Sequence, residues 1–163
     1  MNAWHEHFNA SGTEAVRYVA MTSAPRVIDT FNNMEFVFDN DFVFRDRFNG
    51  EDGYFKQSDP AQQWSTNFVA DVRACQTFSG GFNRGAGAKS TVFRMVNNTM
   101  KSHVSLWGVG AYKKAHRHGP GIHVLIVRGT GYSLMWKEGN QMERIEWGPG
   151  SVFVPPEMWF HQH

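Results

Sequence analysis

Two glycine-bounded segments near the end of the chain carry three histidines and constrain the fold more than any other feature. The first runs from Gly110 to His116 and His118, and the second runs from Gly150 to His161. Residues two apart on a β-strand point to the same face, so His116 and His118 are expected to converge. The pattern predicts a β-sheet protein in which three imidazoles lie close together.

Three imidazoles favour a transition metal over magnesium or calcium. Neutral imidazole binds zinc, copper, iron or nickel, whereas the two alkaline-earth ions prefer oxygen ligands. Three protein ligands also leave coordination positions open, which is typical of catalytic rather than structural metal sites. The sequence therefore predicts a catalytic metal site with His116, His118 and His161 as ligands.

The spacing of these residues resembles the two sequence motifs of the cupin superfamily. The first motif is Gly-x5-His-x-His followed by an acidic ligand and a glycine, and residues 110–129 match its frame. The second is Gly-x5-Pro-x-Gly-x2-His, which begins here at Gly150 and has Met158 in place of its second glycine. The resemblance implies an all-β fold, the double-stranded β-helix or jelly-roll barrel of the cupins.

The acidic ligand of the first motif is absent, and its place falls on Ile122 or His123. A site with three histidines and no such acid is similar to that of the gentisate 1,2-dioxygenase-like group of cupins. That resemblance implies Fe(II) as the cofactor, with Mn, Ni or Zn as alternatives, and O2-dependent ring opening of a hydroxylated aromatic acid. His123 could instead be a fourth metal ligand, and the sequence leaves this open.

Cupins also include proteins that are not oxygenases, so the fold alone does not fix the reaction. The alternative function is a small-ligand-binding module, or a lyase or isomerase that uses Zn, Mn or Ni as a Lewis acid.

His163 lies two residues after His161 and shares its strand parity. It is therefore a candidate catalytic residue, placed to orient a ligand or to carry a proton beside the metal. The alternative is a solvent-exposed residue with no role in the site.

A segment near residue 1 repeats the pattern of the last residues. Residues 4–9 read Trp-His-Glu-His-Phe-Asn and residues 160–163 read Phe-His-Gln-His, so His5-x3-Asn9 corresponds to the end of a second cupin motif. Repeats of this kind indicate duplicated units. We expect residues 1–22 to be the tail of a preceding cupin, residues 23–65 a linker, and residues 66–163 a cupin barrel without its last strands. On this interpretation the chain is an internal part of a two-cupin (bicupin) protein, and His5 could belong to a second metal site.

The secondary structure predicted from the sequence is mostly short strands joined by turns. Residues 10–20 are predicted to form a strand, and the linker is predicted to be partly irregular with a short strand over residues 35–38. From residue 91 onward no stretch has the 3.6-residue apolar period of a helix, and Gly139-Asn140 is typical of a tight hairpin. The strands predicted there cover residues 91–96, 102–109, 123–127, 132–136, 141–147 and 151–154.

Composition limits the expected partners. The net charge of +1 over 163 residues gives no general electrostatic basis for binding nucleic acid. The single cysteine, Cys75, excludes an intrachain disulfide and fits a reducing compartment, so a cytoplasmic location is expected. No apolar run is long enough for a membrane span. The expected partners are a small-molecule substrate and O2, and exchange of the N-terminal strand between chains would give a homo-oligomer.

Overall fold

The computed structural model describes residues 5–39, 63–66, 69, 71–74, 88–95, 100–119 and 121–163. In this part of the chain, strands predominate and form small, mostly antiparallel sheets with few helices. The prediction of a strand-rich protein is confirmed at this level, whereas the closed jelly-roll barrel stays a prediction. Of the helices in these ranges, none has both the length and the apolar character needed to cross a bilayer.

The described strands are short, and each of the six stretches predicted from residue 91 onward overlaps one of them. They are β1 (Gln63–Thr66), β2 (Lys89–Met95), β3 (Lys101–Leu106), β4 (Val124–Leu125), β5 (Gly131–Trp136), β6 (Glu143–Trp147), β7 (Val152–Phe153) and β8 (Phe160–Gln162).

Within the described residues before β2 there are two helices and a helical turn. Helix α1 covers Ala24–Phe31, helix α2 covers Glu35–Phe38, and a 3-10 turn covers Val72–Ala74. Helix α1 has a proline in its first turn, where the fixed φ of proline suits the helix, and it ends at Asn32 in the left-handed conformation with φ 49°.

The strand predicted over residues 35–38 is wrong, because this stretch is helix α2. The Oδ1 of Asn33 accepts the backbone N–H of Glu35 at 2.8 Å, which begins a helical turn. Phe36 then stacks on Phe31 of α1 with 4.5 Å between ring centroids. A local side-chain turn before the helix and a local aromatic pair thus favour a helix where the apolar residues suggested a strand.

The strand predicted over residues 10–20 is also wrong, since these residues have no sheet pairing. The backbone instead turns over residues 9–14, where the side chain of Asn9 accepts the N–H of Ser11 at 3.0 Å and donates to the carbonyl of Glu14 at 2.8 Å. A strand needs a neighbour for its backbone hydrogen bonds. None of the described strands pairs with this segment, and Val16 and Tyr18 are 62% and 68% exposed.

The strands form three sheets. The first has the order β1-β2-β3, with β1 parallel to β2 and β3 antiparallel to it. The second pairs β4 with β7, and the third has the order β6-β5-β8, both antiparallel. In the β5–β6 hairpin, Gly139 has φ +83° and the N–H of Asn140 donates to the carbonyl of Lys137 at 2.9 Å, which confirms the predicted tight turn.

The buried face of the third sheet positions the candidate site. Ser133 and Met135 lie two apart on β5, so they point to the same face, and they are 0% and 3% exposed. Met135 pairs with His161 of β8, which is 2% exposed. One of the three candidate ligands therefore lies on the most deeply buried face of this sheet.

Candidate metal centre

Backbone pairing brings the first motif to the second. His116 and His161 are opposite each other, with the N–H of His116 donating to the carbonyl of His161 at 3.1 Å and the reverse bond at 2.9 Å. The N–H of Lys113 extends the pairing to the carbonyl of His163 at 2.8 Å. Residues 113–118 therefore run along one edge of β8, while β5 occupies the other edge.

The three histidines lie on one side of this pairing, and their neighbours Arg117 and Phe160 lie on the other. On the far side, the guanidinium of Arg117 lies 4.7 Å from the ring centroid of Phe160 and donates to Glu138 Oε2 at 2.9 Å. Phe160 also stacks on Trp136 with 5.4 Å between centroids. The alternation expected of a strand is thus present, and the outer contacts help to hold the histidines on the inner side.

The imidazoles form a compact group. The ring centroids of His116 and His161 are 4.3 Å apart, those of His118 and His161 are 5.1 Å apart, and those of His116 and His118 are 5.5 Å apart. One ligand nitrogen from each residue lies within 4.8 Å of the others. Such nitrogens can hold one transition-metal ion, for which bond lengths are about 2.0–2.1 Å.

Hydrogen bonds to the backbone fix which nitrogen can bind a metal. The Nδ1 of His116 lies 2.9 Å from the carbonyl oxygen of Lys114, and the Nδ1 of His161 lies 3.1 Å from that of Trp159. A carbonyl oxygen only accepts, so each Nδ1 carries the hydrogen. In the neutral rings the Nε2 atoms then carry the lone pairs, which is how outer contacts orient metal-binding histidines. The donor set therefore fits a metal that prefers nitrogen.

The glycines at the boundaries of the two motifs have positive φ, a conformation that glycine adopts easily. Gly110, Gly129 and Gly150 have φ of +72°, +87° and +85°. Met158, which replaces the second glycine of the second motif, also has a positive φ of 62°, and its N–H donates to the carbonyl of His118 at 3.3 Å. The turn is thus kept with a residue that adopts this conformation at some cost in strain.

His123 is not part of the histidine group. It is exposed and immediately precedes β4. Among the described residues, the group that could hold a metal consists of His116, His118 and His161.

His163 lies beside the group and is half-buried. Its ring centroid is 5.5 Å from that of His161 and 5.9 Å from that of Trp107, on which it stacks at 14°. Burial first, then the positive charge of Lys113 and the neighbouring histidines, lower the pKa of His163 from 6.5 to about 3. The ring is therefore neutral at ordinary pH. Its burial favours a role beside the metal site and disfavours the alternative of a solvent-exposed residue with no role.

Ser133, which contacts His163, and Trp147, which contacts Ser133, were not predicted from the sequence. The Oγ of Ser133 is 2.7 Å from the Nδ1 of His163, and the Nε1–H of Trp147 donates to the same oxygen at 3.0 Å. A signal was present, because Ser133 and Met135 share one face of a predicted strand, and a polar residue at a buried position needs a partner.

The first copy of the histidine pattern has a different environment. The rings of His5 and His7 are 5.3 Å apart, and His7 contacts Tyr18 with 5.6 Å between centroids. Both histidines are exposed, and no metal-binding group within the described residues includes them.

Comparison with known proteins finds no family model, no curated protein and no solved structure that matches this chain.

Proposed function

We propose that the chain is a metal-dependent cupin that binds Fe(II) through His116, His118 and His161 and opens the ring of a hydroxylated aromatic acid with O2. The observation that carries the proposal is the approach of three ligand nitrogens to within 4.8 Å of one another. Two lines of evidence support it further: the fixed tautomers of two of these rings and the positive φ of the motif glycines.

The number and type of ligands favour an open catalytic site. Three neutral imidazoles leave the ion its full charge and several free positions, so a substrate with two adjacent oxygens could bind directly. When bound, the ion supplies Lewis-acid polarisation of substrate oxygens and one-electron chemistry toward O2. Holding both reactants at one centre removes much of the entropic cost of bringing them together.

The protein side chains hold and orient the reactants. The backbone contacts of His116 and His161 keep their Nε2 atoms directed into the group. Trp107 and Phe153 flank the ring of His163, each with 5.9 Å between centroids, and limit the access of water to it. His163 is neutral at ordinary pH, so one of its nitrogens carries a hydrogen and can donate it in a hydrogen bond to a substrate oxygen.

Oxygen consumption by the Fe(II)-loaded chain tests the reaction. Gentisate and catechol carry two oxygen-bearing groups on neighbouring ring carbons, which can chelate a metal together. In 4-hydroxybenzoate the hydroxyl and carboxyl groups are para to each other, so this compound serves as the matched control. We expect gentisate or catechol to shift the Fe(II) spectrum and to consume about one O2 per ring opened. The control compound and the His116→Ala variant should give neither signal.

Iron bound by the wild-type chain without any effect of the aromatic compounds would contradict the oxygenase proposal. The non-oxygenase cupin, with Zn, Mn or Ni as a Lewis acid, would then be the function to test.

A further inference from the structure

We infer that Ser133 is a positioning residue that makes His163 present an N–H donor beside the metal centre, so that the site selects a ligand with a hydrogen-bond-accepting, anionic group. The part of this inference that concerns the ligand rests on the proposed metal centre. The part that concerns the tautomer of His163 does not.

The hydrogen bonds of Ser133 decide the tautomer. Ser133 is fully buried, and its Oγ has two side-chain partners among the described residues, Trp147 Nε1 and His163 Nδ1. An indole nitrogen only donates, so it uses one lone pair of Oγ. The hydroxyl hydrogen of Ser133 must then go to the Nδ1 of His163, because otherwise it would be buried without an acceptor. His163 therefore carries its own hydrogen on Nε2.

The position of this hydrogen is the reverse of that in the ligand histidines. In His116 and His161 the Nδ1 atom carries the hydrogen and Nε2 has the lone pair. In His163 the Nε2 atom carries the hydrogen, so the ring donates a hydrogen bond rather than binding a metal. One β-strand thus places a ligand histidine and a donor histidine two residues apart.

The Nε2–H of His163 is available to donate a hydrogen bond to a ligand or to water. In the described part of the chain no hydrogen bond from this nitrogen to a protein acceptor is formed, whereas Nδ1 is fully engaged by Ser133. His163 has the same strand parity as His161, and their rings are 5.5 Å apart. A carboxylate or phenolate oxygen held at the metal would accept this hydrogen bond, and bonds to charged acceptors are stronger than neutral ones.

Long-range 1H–15N NMR spectra of the metal-free protein test the tautomer, because protonated and unprotonated imidazole nitrogens have well-separated 15N shifts. The signal of His163 is assigned as the one lost in His163→Gln. We expect mainly the Nε2–H form in the wild type and a shift toward a mixture in Ser133→Ala. A wild-type His163 in the Nδ1–H form would overturn the inference.

Azide binding to the Co(II)-loaded protein tests the ligand part. We expect Ser133→Ala to bind azide about tenfold more weakly, as for the loss of one hydrogen bond to a charged group, while its Co(II) affinity changes less than about twofold. His163→Phe should show a similar loss. The double variant should lose no more than His163→Phe, because Ser133 acts through His163.

Unchanged azide affinity in Ser133→Ala, or losses that add in the double variant, would overturn the positioning role. Failure of the wild-type chain to bind Co(II) would contradict the metal centre and with it the ligand part of the inference, while the NMR result would still decide the tautomer.

Discussion

At the scale of single residues, the candidate centre depends on backbone carbonyls as much as on imidazoles. The carbonyls of Lys114 and Trp159 hold the rings of His116 and His161 by their Nδ1 atoms. In many metal sites a carboxylate has this role. Here each carbonyl lies two residues before the histidine that it holds, so the strand that supplies the ligand also orients it.

The ligand assignment predicts unequal effects for two histidines. His116→Ala should lower the affinity for Zn(II) or Co(II) by at least about 100-fold, because changes to outer partners alone already cost about 10- to 100-fold. His123→Ala is the matched control and should change affinity by less than about threefold, since His123 is exposed and outside the group. Competition with a chelator measures both, and comparable losses would mean that His123 is a fourth ligand.

The lowered pKa of His163 predicts a pH dependence of stability in the metal-free protein. The pKa is about 3 in the folded chain and 6.5 in the reference state, so between these values the unfolded chain binds a proton that the folded chain does not. Stability is therefore fully present above pH 6.5 and falls as the pH drops toward 3. Between pH 7 and pH 5, wild type should lose on the order of 1–2 kcal/mol more than His163→Gln in urea unfolding. Parallel losses in the two proteins would contradict a buried neutral His163.

The residues of the site were predictable from the sequence to different degrees. His116, His118 and His161 could be found because fixed spacings from glycines and strand parity determine their positions. Ser133 gave only a local signal, a polar residue on the apolar face of a predicted strand. Its partner could not be found, because the hydrogen bond to His163 joins residues 30 positions apart and depends on the pairing of β5 with β8.

At the scale of elements, strand β8 connects the two halves of the site. One edge pairs with β5 and the other pairs with residues 113–118. The register is decisive, because a shift by one residue would turn His161 away from the other ligands and toward the face of Arg117. The stacking of Phe160 on Trp136 and its contact with Arg117 stabilise the observed register.

The pairing of Gly131 with Trp147 predicts a specific packing requirement. A Cβ at Gly131 would lie 2.7 Å from Cζ2 and 2.9 Å from Cζ3 of Trp147, closer than van der Waals contact. Gly131→Ala should therefore displace the indole that donates to Ser133 and lower the free energy of unfolding by about 1–3 kcal/mol. Gly108→Ala, whose Cβ would have no atom within 4 Å, should change it by less than about 0.5 kcal/mol. Equal effects in urea unfolding would show that the contact has no energetic role.

The strands that were predicted correctly are determined by local turn signals, whereas the segments that were predicted wrongly depend on contacts that composition does not show. The strands after residue 91 are bounded by turn residues, such as Gly139 and Gly150 with positive φ, so their positions follow from local signals. The segment at residues 35–38 contains apolar residues typical of a strand, but the turn that the Asn33 side chain forms with the N–H of Glu35 favours a helix. Residues 10–20, predicted as a strand, pair with none of the described strands, and composition alone does not supply a partner.

At the scale of the whole molecule, the third sheet and the second edge of β8 bring residues from distant parts of the chain to one site. The histidine group joins residue 116 to residue 161, and the third sheet joins β5 to β8 across the β6 hairpin. Closure into a jelly-roll barrel needs pairings between sheets, and such long-range pairings depend on the packed chain as a whole rather than on any local pattern. The barrel and the two-cupin organisation therefore stay predictions from the motifs.

Strand exchange between chains also stays a prediction, and the exposed side chains of Val16, Tyr18 and Val19 are the surface that it would cover. Exchange predicts a dimer in light scattering that becomes a monomer in Val16→Asp. A wild-type chain that is strictly monomeric at all concentrations would contradict it.

The metal content of the chain tests the central claim most directly. The protein is incubated with Fe(II) without oxygen, freed of unbound metal and compared with His161→Ala, which removes the most buried of the three candidate ligands. We predict close to one iron per wild-type chain and almost none in the variant. Little iron in the wild type, or equal iron in both proteins, would contradict a metal centre formed by these histidines.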